Sequence, residues 1–168
     1  MRLFFLDKAE KGRWLPLFFD LYYENMARIA PTGLDYATDR EQWMDQVSPA
    51  LDKAPRMILM AVSEGELAGY VQYYTRGALL MVEEVQIRRR YQGSPLFLQL
   101  CRRLMESLQQ EEICYIEAYA DHRNLKSLAL MDRLGMEIIQ ESENSPFVHL
   151  RGDAVALFRR FGYNRTNQ

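Results

Sequence analysis

Two adjacent glutamates, Glu83 and Glu84, stand near the end of an apolar segment that predicts a β-strand over residues 79–88. Neighbouring side chains of a strand point to opposite faces, so only one of the two carboxylates can face a cleft. A carboxylate whose pKa is raised by burial can take a proton from an amine, directly or through a water molecule. The residues leave a second interpretation open, in which both glutamates are solvated or pair with the arginines at 88–90.

The turn after this strand has the residue types of a helix start. Ser94 and Pro95 suit the N-cap and the first helical position, and an apolar helix face follows to about residue 108. A helix N-terminus binds phosphate because it carries unpaired N–H groups and a partial positive charge. Pro95 removes one donor and Phe97 crowds the approach, although the arginines at 88–90 could add charge-assisted hydrogen bonds. A phosphate site and a well-started helix are equally compatible with these residues.

Candidate proton donors accompany the next predicted strand, at residues 113–120. Tyr119 lies near its end and His122 just after it, and either side chain could protonate a leaving group. A single histidine in a loop is more often incidental to function. Asn124 is expected to cap the following helix. No cluster of cysteine and histidine residues has metal-ligand spacing, so no metal site is expected.

The elements that must position these residues follow from hydrophobic periodicity and turn signals. Strands are predicted at 2–6, 56–63, 67–75, 79–88, 113–120, 136–142 and 146–151. Helices are predicted around 14–26, after a capping box formed by Thr38 and Glu41, and over 94–108, 124–134 and 155–161. The order β-α-α-β-β-β-α-β-α-β-β-α, with a strand–helix–strand crossover after an antiparallel start, predicts an α/β fold with a mixed central sheet.

Two segments of the chain resemble the GNAT acetyltransferase superfamily. Residues 83–97, EEVQIRRRYQGSPLF, are similar to its fourth strand and Q/R-x-x-G-x-G/A acetyl-CoA loop, with Gln92 opening the loop and Gly93 matching a common glycine. Residues 124–136, NLKSLALMDRLGM, resemble its later N-x-x-(A/S)-x-x-L-Y-x-x-L-G-F helix. Pro95 and Phe97 replace small loop residues, and Met131 replaces a tyrosine thought to protonate the leaving thiolate. An alternative loop register starts at residue 90 and ends at Pro95.

The resemblance implies one GNAT-like domain over residues 1–163, with 164–168 as a frayed tail. It implies an N-acetyltransferase that uses acetyl-CoA as acyl donor and a small-molecule or amino-acid-like amine as acceptor, by direct attack. It favours Glu84 over Glu83 as the base, and with Met131 unable to donate a proton it leaves Tyr119 and His122 as candidate acids. The implied cofactor-binding residues are Val85, Gln86, Ile87, Gln92, Gly93, Ser94, Leu96, Phe97 and Asn124.

The sequence also supports an alternative function and a hypothesis about the acceptor site. The replaced residues of the loop also fit a non-catalytic GNAT-like module that binds acyl-CoA or a protein partner. The early helices of the family often wall the acceptor site, and the aromatic side chains of the first helix suit an apolar or aromatic-bearing acceptor. Those side chains are Trp14, Phe18, Phe19, Tyr22 and Tyr23, for which core packing is the simpler explanation.

Composition narrows the partners and the compartment. The 168 residues carry 21 Lys and Arg against 23 Asp and Glu, a net charge of −2, which disfavours non-specific nucleic-acid binding. No run of about 18 apolar residues occurs, so no membrane span is expected. Two cysteines make no disulfide framework, which favours a cytoplasmic protein. Relatives often pair through late elements, and a homodimer could use Phe147, Val148, Phe158 and Phe161.

Overall fold

The computed structural model describes residues 1–53 and 55–162, so the predicted tail at 164–168 lies outside the described residues. The strands are β1 Arg2–Phe5, β2 Met57–Ser63, β3 Glu66–Arg76, β4 Leu79–Ile87, β5 Tyr115–Asp121, β6 Met136–Gln140 and β7 Phe147–Asp153. The helices are α1 Lys11–Met26, α2 Tyr36–Asp52, α3 Leu96–Ser107, α4 Leu125–Arg133 and α5 Ala154–Arg160. Short 3-10 turns at Lys8–Glu10 and Arg89–Tyr91 complete the described elements. The predicted element order is confirmed.

The strands form one mixed sheet in the order β1-β2-β3-β4-β5-β7-β6. The β1–β2, β5–β7 and β6–β7 pairs are antiparallel, and the β4–β5 pair is parallel. A parallel pair requires a crossover connection, which here contains α3. The mixed α/β fold expected from the sequence is confirmed.

The chain divides into two compact units. The first unit contains Met1–Gln72 and Glu84–Leu100, and the second contains Tyr73–Glu83 and the chain from Cys101 onward. In the first unit the apolar faces of α1 and α2 pack on β2 and β3. The buried residues of this core are Trp14, Leu15, Phe18, Leu21, Leu51, Ile58, Met60, Leu67 and Tyr70. The single-domain boundary at residue 163 stays a prediction.

The residue that caps α2 differs from the one expected from the sequence. Asp35 caps this helix, and its side chain accepts the N–H groups of Ala37 and Thr38 at 3.0 and 3.1 Å. The capping box expected at Thr38 and Glu41 is therefore wrong, because Thr38 already lies in the first helical turn. The Thr38 hydroxyl instead donates to the other Asp35 oxygen at 2.7 Å.

The caps of α3 and α4 agree closely with the sequence. The Ser94 hydroxyl accepts the N–H of Leu96 at 3.3 Å, and α3 begins at Leu96, one residue after Pro95, which the sequence assigned to the first helical position. Asn124 caps α4 by accepting the N–H of Ser127 at 3.2 Å. Gly135 follows α4 with a φ of +80°, a conformation that favours glycine. None of the helices in the described part of the chain is both long and apolar enough to span a bilayer.

Candidate functional site

The last residues of β4 place Glu84 beside polar side chains of the first unit. Strand alternation puts Glu84 and Gln86 on one face of β4, and Gln86 Nε2 donates to Glu84 Oε1 at 3.0 Å. The Tyr70 hydroxyl of β3 is fully buried, and no acceptor within the described residues lies in hydrogen-bonding geometry with it. Burial raises the pKa of Tyr70 well above its usual value, and the nearby Glu84 carboxylate raises it further. Glu84 is therefore half-buried among polar groups rather than solvated.

A chain of side-chain amides continues from Gln86 to the turn that precedes α3. Asn25 Nδ2, near the end of α1, donates to Gln86 Oε1 at 2.9 Å and to the Ile87 carbonyl at 3.0 Å. Gln92 Nε2 donates to Asn25 Oδ1 at 3.2 Å and to the same Ile87 carbonyl at 3.0 Å. We call Gln92, Asn25, Gln86 and Glu84 the polar relay. The relay joins the predicted base to the predicted loop within one unit.

The three consecutive arginines of this turn already have partners within the first unit. Arg88 Nη1 donates to Glu24 Oε2 at 2.9 Å, and the Arg89 N–H donates to Glu24 Oε1 at 3.2 Å. Arg89 Nη2 also donates to the Glu24 carbonyl at 2.6 Å, and Arg90 Nη2 donates to Glu66 Oε2 at 2.5 Å. The arginines therefore fasten the turn to α1 and β3. Only the half-exposed Arg90–Glu66 pair resembles the weak surface ion pairs that rearrange at little cost.

The start of α3 keeps several backbone donors available. Among the described residues no acceptor is found for the N–H groups of Gly93, Phe97 and Leu98. The N–H of Ser94 donates to the Tyr91 carbonyl at 3.1 Å, so it is engaged, like that of Leu96. Gly93 has a φ of +79° and open space where a Cβ would lie. Open space and three unpaired N–H groups are what a phosphate group requires of a helix N-terminus.

The backbone edge of β4 beyond residue 82 also bears on the site. The ladder to β5 pairs Leu79–Val82 with Tyr115–Ala118 and ends there. The N–H of Arg88 donates to Ala68 of β3 at 2.9 Å. Alternation along the strand therefore turns the backbone groups of residues 85 and 87 to the opposite edge. The carbonyl of residue 87 is taken by the polar relay, so this strand edge offers a ligand fewer acceptors than the sequence implied.

A cavity of about 220 Å³ lies within the first unit, where α1 ends and α2 begins. Its lining is mostly apolar and aromatic, from Tyr22, Tyr23, Met26, Ala27, Ala30, Pro31, Thr32, Gly33, Leu34 and Asp39. Asp39 is the charged residue of this lining, and its Oδ2 accepts the Thr32 hydroxyl at 2.7 Å. The Tyr22 phenol also contributes to the raised pKa of Tyr70.

Tyr119 and its neighbours form a separate cluster in the second unit. Tyr119 is 55% exposed, and its ring stacks on His149 of β7 with centroids 4.3 Å apart. Glu117 is buried, accepting from His149 Nε2 at 2.8 Å and from Arg151 Nε at 2.7 Å. Although burial raises the pKa of Glu117, the hydrogen bonds from Arg151 and His149 lower it more, and the net value lies below the usual one.

Glu83, His122 and Met131 also lie in the second unit. Glu83 lies on the face of β4 opposite Glu84. His122 is exposed, and its Nδ1 lies 2.9 Å from the Pro146 carbonyl, which requires the proton on Nδ1 in the neutral ring. Met131 is half-buried in α4 and offers no proton. Within residues 1–53 and 55–162, no group of three or more His, Cys, Asp or Glu side chains is placed to hold a metal ion.

Sequence reasoning missed Asn25, Tyr70 and His149. Asn25 lies four residues after Leu21 and seven after Phe18, so it is a polar residue on the buried stripe of α1. A polar residue at such a position needs a buried partner, and this signal was available in the sequence. The contacts of Tyr70 and His149 depend on the pairing of strands and had no comparable local signal.

The comparisons with known proteins agree with this arrangement. The model of the Acetyltransferase (GNAT) family matches residues 15–136, and the chain therefore belongs to this family, whose enzymes use acetyl-CoA as donor. No curated protein matches the sequence.

Solved structures show the same fold at low identity. The PaiA N-acetyltransferase from Thermoplasma acidophilum, in complex with coenzyme A, is 10% identical with a TM-score of 0.66, covering 91% of this chain and 99% of its own. yncA from Salmonella typhimurium, with its cofactor acetyl-CoA, is 16% identical with a TM-score of 0.57, covering 91% and 93%. The ribosomal-protein-S18-alanine N-acetyltransferase from Escherichia coli is 10% identical with a TM-score of 0.64, covering 90% and 92%.

Proposed function

We propose that this chain transfers the acetyl group of acetyl-CoA to the amine of a small-molecule or amino-acid-like acceptor. The observation that carries the proposal is the set of unpaired N–H groups at the start of α3, directly after a strand that holds a half-buried carboxylate. Both features lie in the first unit and inside the segment that matches the family.

The diphosphate of acetyl-CoA would be held at the start of α3. The N–H groups of Gly93, Phe97 and Leu98 are the donors that it would use, and the helix dipole adds a favourable field. Because the arginines of the turn have partners, binding would depend on these backbone donors more than on positive side chains. The expected contacts of Ser94 and Leu96 would come from atoms other than their engaged N–H groups.

The acceptor would occupy the cavity at the end of α1. The rings of Tyr22 and Tyr23 suit the apolar body of an amine, and Asp39 suits its positive charge before reaction. Glu84 would take the proton of the attacking amine, so that the nitrogen lone pair can form the amide bond while the C–S bond breaks. The CoA thiolate must then be protonated, for which Tyr119 and His122 stay predictions.

The proposal is tested by calorimetry with acetyl-CoA and by release of free CoA thiol over a panel of amines. Glu84→Gln keeps the shape of the side chain, and we expect it to lower kcat about 100-fold while changing the Kd for acetyl-CoA less than threefold. The loss should be much smaller for Glu83→Gln, and Glu143→Gln on an exposed loop controls for the removed charge. A wild-type protein that binds no acetyl-CoA would overturn the proposal.

A non-catalytic module that binds acyl-CoA or a protein partner is the second candidate. Pro95, Phe97 and Met131 favour it, since each replaces a residue that usually carries ligand or proton. Binding of acetyl-CoA without transfer to any amine would support this candidate. A Pro95→Gly/Phe97→Gly variant should then bind CoA more tightly, if those side chains crowd an otherwise intact site. The cytoplasmic location and a homodimer through the late elements also stay predictions.

A further inference from the structure

We propose that Asn25 is a positioning residue, which acts through Gln86 to present an N–H donor to the Glu84 carboxylate. The inference rests on the proposed function of Glu84 as the base. It assigns a role to the polar relay that the sequence motifs do not contain, because Asn25 lies outside both of them.

The carbonyl of Ile87 fixes the direction of every hydrogen bond in the relay. A carbonyl only accepts, so the side chains of Asn25 and Gln92 must both turn their NH2 groups to it. The oxygen of Asn25 then accepts from Gln92, and its second N–H donates to the oxygen of Gln86. Gln86 is left with its NH2 group facing Glu84. No other orientation of the three amides satisfies all five bonds.

Burial makes this arrangement costly to change. Gln86 is 7% exposed, so its amide finds little water to replace a lost partner. A buried polar group without a partner is destabilising, and hydrogen bonds in such networks reinforce one another. The relay therefore holds the Glu84 carboxylate in one orientation, through the hydrogen bond from Gln86 to its Oε1. Fixing the base in this way favours proton transfer, because the acceptor amine meets an oriented oxygen.

The substitution Asn25→Asp tests the polarity of the relay with almost no change of shape. A carboxylate cannot donate, so Gln86 must turn its NH2 group toward residue 25 and its oxygen toward Glu84. Two acceptors then face each other at Glu84, while the new carboxylate also faces the Ile87 carbonyl, a repulsion that does not depend on residue 84. We expect kcat to fall at least tenfold, while the Kd for acetyl-CoA measured by calorimetry changes less than threefold. Asn144→Asp adds the same charge on an exposed loop and should leave both values unchanged.

A double-mutant cycle separates a positioning role from a merely structural one. If Asn25 acts through Glu84, Asn25→Asp should change kcat less than threefold in the Glu84→Gln background. An equal loss in both backgrounds, or an unchanged kcat in the single variant, would overturn the proposal.

Urea denaturation of the same variants measures the coupling between residues 25 and 84 without an activity assay. In the Glu84→Gln background residue 84 can donate to the turned oxygen of Gln86, so the part of the penalty that arises at residue 84 should be relieved, while the repulsion at the Ile87 carbonyl remains. We expect Asn25→Asp to raise the unfolding equilibrium constant in urea about tenfold in the wild-type background and clearly less in the Glu84→Gln background. Equal effects in both would refute the relay even if the enzyme were inactive. A wild-type protein without transferase activity, but with this coupling, would refute only the proposed function.

Discussion

Gly69 provides a sharp test of how closely β3 approaches the site, through the substitution Gly69→Ala. A Cβ at this position would lie 2.8 Å from the Gln86 carbonyl oxygen and 3.3 Å from Ile87 Cγ1. The nearer atom belongs to the backbone of β4, so no side-chain rotation can relieve the clash. β3 and β4 must therefore separate at Gln86 and Ile87, where β4 contributes to the polar relay.

The expected magnitude follows from two opposing terms. Overpacking against a fixed backbone costs about 1–3 kcal/mol. Replacing glycine by alanine also restricts the unfolded chain, which offsets about 0.4–1 kcal/mol of that cost. Taking the middle of each range, about 2 and about 0.7 kcal/mol, we expect Gly69→Ala to lower the free energy of unfolding by about 1.3 kcal/mol.

Urea denaturation measures this change, and Gly12→Ala is the matched control. Gly12 lies in α1 with nothing within 4 Å of an added Cβ, so alanine should stabilise the chain there by about 0.5 kcal/mol. Gly69→Ala should also lower kcat, since it moves the residues that hold Glu84. A Gly69→Ala protein as stable as the wild type would refute the described approach of the two strands.

Two further substitutions test buried polar groups. Tyr70→Phe removes a buried hydroxyl that lacks a partner among the described residues, so the free energy of unfolding should stay constant or rise by about 1 kcal/mol. A fall of more than about 1 kcal/mol in urea denaturation would mean that the hydroxyl is bonded to Glu84. The hydrogen bond from Arg123 holds the pKa of Asp121 below its ordinary 3.8. This stabilisation is present above that ordinary value and is lost as the pH falls below it. The stability difference between wild type and Asp121→Asn should therefore be constant above about pH 5 and shrink toward pH 3, and a difference independent of pH would contradict the assignment.

The sequence predicted the fold well where local signals do not compete. Ser94 and Asn124 each stand alone before an apolar helix face, and both cap their helices. Asp35 and Thr38 stand three residues apart before the same face, and the capping-box spacing from Thr38 to Glu41 favoured the wrong one. Asp35 prevails because its carboxylate accepts two backbone N–H groups and also the Thr38 hydroxyl.

The sequence predicted the parts of the candidate site that lie in one continuous segment, but not the contacts between residues that are distant in the sequence. Glu84 and Gly93 lie in one continuous motif, so a resemblance could place them. The link from Gln92 to Glu84 passes through α1, and sixty-one residues separate Asn25 from Gln86. The arginines of the turn show the same limit, because their spacing suggests phosphate binding while their partners, Glu24 and Glu66, come from other elements.

The substitutions in the loop motif are compatible with the proposed acetyl-CoA site, because the donors proposed for it are backbone N–H groups. Pro95 lacks an N–H, but it precedes a helix whose first N–H groups have no helical acceptor in any case. Phe97 brings a larger, half-buried side chain to a position where the family has a small residue, but its backbone N–H stays unpaired within the described residues. Gly93 keeps the positive φ and the open space that a close approach requires. A site built from backbone N–H groups tolerates substitutions that a site built from side chains would not, because the donors belong to the main chain of every residue except proline.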